Sequence, residues 1–342
     1  MKCAPVIIPT LNRYKHLKRC LESLESNSLC CYTDVFISLD YPPSPKYEDG
    51  YKFVKDYLNI LCGNNKFHNL YVFVQDENLG PAKNMNFLFE KVSNVADKWI
   101  FSEDDVEYSP NFLEYMNICL NYFEDESSIM AICGCNDFQI SPKNQNVYKD
   151  YIFCPYGVGF WKTKNEYVMN HCREILFDSK NSSLHSVYQL FRTNETLFRI
   201  YINAILCGNK LPEWVDEQLV LTDCVRGLFN YFTNSYCIHP TIAKSHTFGN
   251  DGSGVNMGDT GEDPNVRVPL DNAITFKINY KYVNKLSDIS AEIHHNHIRV
   301  YSINNAEKFK SWMKYIFFLI NNKDRDKTIK MIRNMKVSNN GK

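Results

Sequence analysis

The chain has no apolar stretch of the roughly 18 to 20 residues needed to span a bilayer, no CxxC pair, no internal repeat and almost no charge imbalance. Its 38 Lys and Arg stand against 39 Asp and Glu, a formal net charge of −1. That balance argues against a general nucleic-acid binder, which would show a basic excess. The first residues, Met1-Lys2-Cys3-Ala4-Pro5-Val6, hold no apolar signal-peptide core. The 13 cysteines are odd in number, which argues against a disulfide framework. Cys20, Cys119 and Cys133 fall on apolar stripes, where a free thiol acts as a small hydrophobe. A reducing cytoplasm is the expected setting, with the inner face of a membrane as a further option.

What is present describes a large globular protein. The 342 residues are 44% hydrophobic and 23% charged, enough for one large core or two fused lobes. Aromatics reach 14%; this fits either ring-stacking surfaces or a genome favouring Tyr and Phe. The charge is unevenly spread. Residues 306–342 hold ten Lys or Arg against Glu307, Asp324 and Asp326, so +7, while the rest carries about −8. The apolar run Trp312-Met313-Lys314-Tyr315-Ile316-Phe317-Phe318-Leu319-Ile320 precedes this basic tail. It reads as an ordinary C-terminal helix or as a segment that rests on an anionic membrane surface.

Short apolar runs alternate with helical patterns over the first 135 residues. Val6-Ile7-Ile8, Val35 to Leu39, Leu70 to Val74, Trp99-Ile100-Phe101 and Ile129 to Ile132 predict strands. Leu17, Leu21 and Leu24 mark one face of a first helix, Pro81 opens another, and Ser109-Pro110 predicts a capped start for a helix bearing Leu113, Met116, Leu120 and Phe123. Such alternation implies an α/β fold with a mostly parallel sheet flanked by helices. Ligands of such sheets bind beyond the carboxyl ends of the strands, where Asp40 and Glu103-Asp104-Asp105 both lie. After residue 135 the regularity weakens. The expected division is a nucleotide-binding lobe at 1–135, a second lobe at 136–262 and a C-terminal extension with a basic helical tail at 263–342.

Three adjacent carboxylates after a buried strand repel one another unless a cation offsets them. An oxygen-preferring Mg²⁺ or Mn²⁺ is the natural partner, although acidic runs are also common on solvated surfaces. Asp40 alone reads equally well as a turn-forming residue before Pro42-Pro43. His294, His295 and His297 lack partners at zinc-finger spacing and predict an exposed strand or loop.

Phe101-Ser102-Glu103-Asp104-Asp105-Val106-Glu107, with Ser109 to Tyr115 after it, resembles the metal-binding motif and following helix of GT-A glycosyltransferases. It is especially similar to bacterial family 2 polysaccharide transferases and to the N-acetylglucosaminyltransferase I type. Pro5 to Arg13 resembles their opening strand and donor-binding turn, and Glu77-Asn78-Leu79-Gly80-Pro81-Ala82-Lys83-Asn84 their following helix start. The likeness covers about residues 4 to 260. It implies a GT-A (Rossmann-like) sheet with a fused acceptor-binding lobe, Asp105 on the metal, and Glu103 and Asp104 on the ribose and the metal's water shell. It also implies Asp40 on the base, and Thr10, Asn12, Arg13, Asn78, Gly80, Lys83, Asn136 and Asp137 around the donor.

In Glu213 to Leu219 the resemblance puts a catalytic carboxylate at Asp216, with Glu217 and Asp223 as rivals. Such a base would remove the acceptor's proton as C1 gains oxocarbenium character. Trp214 beside it stacks on a sugar or fills the core. Gly157 and Trp161 match positions near the donor sugar and acceptor. Ser245 to Gly254 resembles a glycine-rich lid, with Gly252 and Gly254 as hinges and His246 as a phosphate donor, third metal ligand or structural residue.

The expectation is an inverting, metal-dependent transfer of a sugar from a UDP-sugar, N-acetylglucosamine by resemblance, to a glycan or lipid-linked acceptor in surface polysaccharide synthesis. Partners would be that donor and acceptor, with no nucleic acid. Two alternatives are a sugar-1-phosphate nucleotidyltransferase and an inactive glycan-binding subunit. The first would need a glycine-rich phosphate loop, which Pro9-Thr10-Leu11-Asn12-Arg13 lacks. The second would be favoured by loss of the acids, which are present.

Overall fold

A computed structural model describes residues 3–136, 140, 144–207, 223–254, 259–261, 267–280, 292–297 and 302–321. Strands β1 (Val6–Thr10), β2 (Asp34–Leu39), β3 (Asn69–Val74) and β4 (Lys98–Phe101) alternate with helices α1 (Tyr14–Glu25), α2 (Glu48–Gly63) and α3 (Gly80–Ser93). The four strands lie parallel in the order β3-β2-β1-β4. The two-residue period of a strand sorts their side chains. Val6, Ile8, Val35, Ile37 and Ile100 join a core cluster with Leu17, Leu21 and Leu24 of α1 and Val54 and Leu58 of α2. Ile7, Phe36, Trp99 and Phe101 join a second with Leu88 and Val92 of α3. The three α1 leucines are fully buried, each contributing about 1.5–3 kcal/mol. They hold the start of α1, and with it Arg13, beside the tip of β1.

Beyond β4 the same sheet continues through β8 (Val158–Trp161), β6 (Ile129–Cys133), β9 (Tyr236–Pro240) and β7 (Val147–Asp150). Of its seven neighbour pairings, those of β8 with β4 and β6 and of β7 with β9 are antiparallel; the other four are parallel, so the sheet is mixed but mostly parallel. Strands from both sides of residue 135 thus share one sheet. Helices α5 (Lys162–Leu176), α6 (Leu184–Thr193), α7 (Glu195–Ile200), α8 (Asp223–Thr233) and α9 (Asn305–Asn321) contribute to a third cluster containing Tyr148, Phe198, Phe229 and Tyr315.

Some local expectations are corrected. The helix carrying Leu113 and Met116, α4 (Phe112–Tyr122), has Asn111 rather than Ser109 at its N-cap position, with no side-chain cap bond. Ser109 is used otherwise: its N–H donates to the Lys244 carbonyl and its hydroxyl to Asn111 Oδ1. Between the acidic triplet and α4 lies an unforeseen strand, β5 (Val106–Tyr108), paired antiparallel with β10 (Ser245–Thr247). Residues 292–297 are helical rather than extended. There His297 is buried, with Nε2 2.9 Å from Asp150 Oδ2 and Nδ1 2.8 Å from the Tyr151 hydroxyl. All 13 cysteines are free thiols. Among the described residues, no helix is long and apolar enough to cross a membrane.

Candidate active site

The tips of β1, β2 and β4 meet at one end of the sheet. β1 and β2 run in register to Thr10 and Leu39, and Asp40 extends the ladder by donating its N–H to the Thr10 carbonyl, 2.9 Å. Asp104 and Asp105 follow β4 in a tight turn, both buried, at 4% and 7% exposure. The Thr10 hydroxyl donates to Asp104 Oδ2 at 2.8 Å. Arg13, which opens α1 without a side-chain cap of its own, bridges the pair. Its guanidinium donates to Asp105 Oδ2 at 2.8 Å and to Asp104 Oδ1.

Charge is concentrated here. Burial pushes the Asp104 carboxyl above its ordinary value; Arg13 and Thr10 pull it down, Asp105 pushes it up, and the net shift is upward. For Arg13 burial acts downward, but Asp104 and Asp105 outweigh it and hold the guanidinium charged. The remaining oxygen, Asp105 Oδ1, is buried without a hydrogen-bond partner. A buried carboxylate oxygen in that condition costs free energy until a donor or cation reaches it. A hard divalent ion fits this oxygen. Among the described residues no group of three or more His, Cys, Asp or Glu is placed to hold a metal. An ion here would therefore take most of its shell from substrate phosphates and water, as Mg²⁺ and Mn²⁺ commonly do.

The glycine-rich segment closes on the same acids. β5 and β10 bring Val106 opposite Thr247 and Glu107 opposite His246, and the Phe248 N–H donates to the Asp105 carbonyl at 2.9 Å. A β-carbon added at Gly249 would sit 2.0 Å from Asp105 Oδ2, so only glycine fits against that carboxylate. Gly254 lies near Arg13: a β-carbon there would be 3.5 Å from its Nη1. Gly252 adopts a positive φ of 76°. Phe248 stacks on His16 with centroids 5.3 Å apart, and the Arg19 guanidinium lies 4.2 Å from its ring centroid. His246 is buried, its Nδ1 2.8 Å from the Val268 carbonyl and its Nε2 3.1 Å from Glu107 Oε2. Both ring nitrogens face acceptors within the protein, so His246 braces the β5–β10 pair in this arrangement. Hydrogen bonding from His246 and from Arg19, together with their charges, outweighs burial and holds the Glu107 carboxyl down at about 2.

Asp40 is placed differently. Its Oδ1 accepts from the Tyr41 and Leu79 N–H groups at 2.9 and 2.8 Å, and its Oδ2 from the Gly80 N–H and Asn78 Nδ2 at 2.9 and 3.2 Å. Four donors fill the carboxylate's capacity and bind the start of α3 to the tip of β2. Burial still leaves Asp40 above its ordinary value, against the pull of those backbone donors. Asn84 deepens the joint, accepting from the Ser38 hydroxyl and donating to the Ser38 carbonyl. The backbone of Asn12 supports α2, where a β-carbon on Gly50 would meet its carbonyl at 2.4 Å.

Other expected residues lie apart from the acids or serve the framework. Asn136 is saturated: it donates to the Ile140 and Thr241 carbonyls and accepts from the Ile140 N–H and the Tyr148 hydroxyl. Trp161 corrects an expectation, since it pairs with Lys98 at the end of β4 remote from the acids. It is buried, with its indole N–H donating to the Leu120 carbonyl at 2.9 Å, and offers no stacking face to an acceptor. Gly157 is at the site end, with φ 70° and no room for a side chain beside Phe112 and Ser245. Lys83 is exposed on α3, and Glu103 is half-buried beside the pair. Asp137, Trp214, Asp216 and Glu217 lie outside the described residues, as does the side chain of Asp223. Sequence reading counted Gly249 among the lid glycines without foreseeing its contact with Asp105, and it missed Arg19 and the Glu107–His246 brace.

A mostly parallel sheet flanked by helices, with buried acids just past its fourth strand, defines the GT-A class of glycosyltransferase. The chain belongs to glycosyl transferase family 2, whose family model matches residues 6–181. Among solved structures it is similar to S. aureus TarS 1-349, at 16% identity over 68% of this chain and 90% of that one, TM-score 0.34. The same TarS fragment in complex with UDP gives 14% identity over 92% and 71%, TM-score 0.38. A mannosyltransferase from Pyrobaculum calidifontis in complex with GDP-Man and Mn²⁺ gives 11% over 68% and 74%, TM-score 0.36. These superpositions are loose, and the assignment stands on the family match and the sheet. No curated protein matches the chain.

Proposed function

We propose that this glycosyltransferase moves a sugar from a UDP-sugar to a hydroxyl of a glycan or lipid-linked acceptor, with inversion and with Mn²⁺ or Mg²⁺ at Asp105. The observation that carries the reading is the buried, unpartnered Asp105 Oδ1 beside the Arg13-bridged pair at the tip of β4. N-acetylglucosamine as the sugar, and surface polysaccharide as the product, follow from resemblance alone. When bound, the ion would neutralise charge on the departing diphosphate. Asp105 would hold it, with Glu103 and Asp104 on its water shell and the ribose. Arg13 and Thr10 orient the carboxylates through their hydrogen bonds, while the segment from Phe248 to Gly254 excludes water from their side. The acceptor side and the base, Asp216, are assigned to residues 136–262. That carboxylate would take the acceptor's proton on the face of the sugar opposite the diphosphate.

A thermal-shift screen of nucleotides and nucleotide sugars with and without Mn²⁺ tests the donor assignment, because a ligand of the folded state raises the melting temperature with concentration over Kd. UDP compounds should stabilise the protein only with metal. Metal-independent stabilisation and turnover would overturn the role of Asp105. Asp216→Asn should retain donor binding and lose transfer by about a thousandfold; unchanged turnover would remove Asp216 as the base.

A further inference from the structure

Helix α9 is apolar on two sides, and among the described residues only one is packed. Its inner side packs into the third core cluster: Trp312 lies against Phe191 and Phe198 with centroids 5.4 and 4.9 Å apart, and the buried Tyr315 donates its hydroxyl to the Ser182 carbonyl. On the outer side Phe309, Ile316, Phe317 and Ile320 are exposed at 69, 42, 56 and 67%. With Met313 they stand at i, i+4, i+7, i+8 and i+11. At about 100° per residue these positions fall within one arc of roughly 100°. A folded chain rarely leaves such a stripe uncovered without a use for it.

We infer that this outer face of α9 is a docking surface for an anionic lipid bilayer. The charge around the stripe selects the occupant. Lys310 and Lys314, both exposed, border it on one side, and residues 322–342 add seven Lys or Arg against Asp324 and Asp326. An apolar stripe edged with lysine lies in a headgroup layer with its large side chains buried, while the basic groups meet the lipid phosphates. A second copy of the chain would instead bring two basic tails together, a like-charge juxtaposition that opposes association. The surface rests on α9 and the charge around it, not on the donor-site assignments.

Co-sedimentation of the full chain with vesicles tests it. The protein should bind phosphatidylglycerol-containing vesicles, bind phosphatidylcholine vesicles far more weakly, and be released by salt. Phe309→Ser/Ile316→Ser/Ile320→Ser should weaken that binding by about tenfold or more with unchanged circular dichroism. Lys310→Glu/Lys314→Glu, which leaves the stripe intact, should weaken it less and reduce its salt dependence. Equal binding by the triple variant, or none by the wild type, would overturn the inference. So would a concentration-dependent dimer abolished by the triple variant, which would assign the stripe to a second copy.

Discussion

Two aspartates end neighbouring regions of the same sheet, Asp40 after β2 and Asp105 beyond β4, and the protein treats them in opposite ways. Asp40 receives four donors from the chain that follows it and fastens α3 to the sheet. Asp105 has one oxygen on Arg13 and the other buried without a hydrogen-bond donor. Position in the fold is therefore a poor guide to the role of an acid; how its oxygens are satisfied is the better one. A filled carboxylate holds structure together, whereas an unfilled one keeps capacity for a ligand at the cost of its own desolvation.

Asp105→Ala is the strongest way to break this contrast. Metal-dependent UDP binding should disappear and transfer should fall by about a thousandfold or more, with only a small change in melting temperature. Titration calorimetry with UDP and Mn²⁺ checks it, and retained binding would put the two aspartates back on equal terms. Asp40→Ala should do the reverse. The N–H groups of Tyr41, Leu79 and Gly80 lose their acceptor, costing about 2–3 kcal/mol of stability by urea unfolding, while metal binding persists. If Asp40→Ala unfolds like the wild type but loses UDP, the carboxylate reads the base rather than capping α3.

The smallest effect sharpens the contrast along the pH axis. Glu107 is held at about 2 in the folded protein, against about 4.3 for an unperturbed glutamate. A carboxyl lowered by folding adds stability above its unfolded value and loses it as pH falls toward the folded one. Between about pH 4.5 and pH 2 the wild type should therefore lose roughly 2 kcal/mol, allowing for partial exposure, that Glu107→Gln does not lose. Urea midpoints for both proteins at pH 6 and pH 3 measure the difference.

The parallel half of the sheet was legible because its strands are short apolar runs, those of β1, β2 and β4 largely buried, and the acids stand directly after one of them. What escaped depends on residues far apart in sequence. β5 exists because β10 pairs with it from some 140 residues away, and no local pattern over three residues announces that. Helix α4 has its N-cap position two residues later than Ser109, whose N–H and hydroxyl instead tie the turn to Lys244 and Asn111. Trp161 matched a motif position, yet its antiparallel strand turns it toward the wrong end of the sheet. Asn136 likewise matched, but Thr241 and Tyr148, brought in by the fold, take its hydrogen bonds.

The backbone bond from Phe248 to the Asp105 carbonyl carries a mechanical consequence. The glycine-rich segment is stitched to the backbone of the acid it rests on, so separating the two would also pull apart β5 and β10. Gly249 comes directly after that bond and against the Asp105 carboxylate, so the chain is tightest where it first meets the acids.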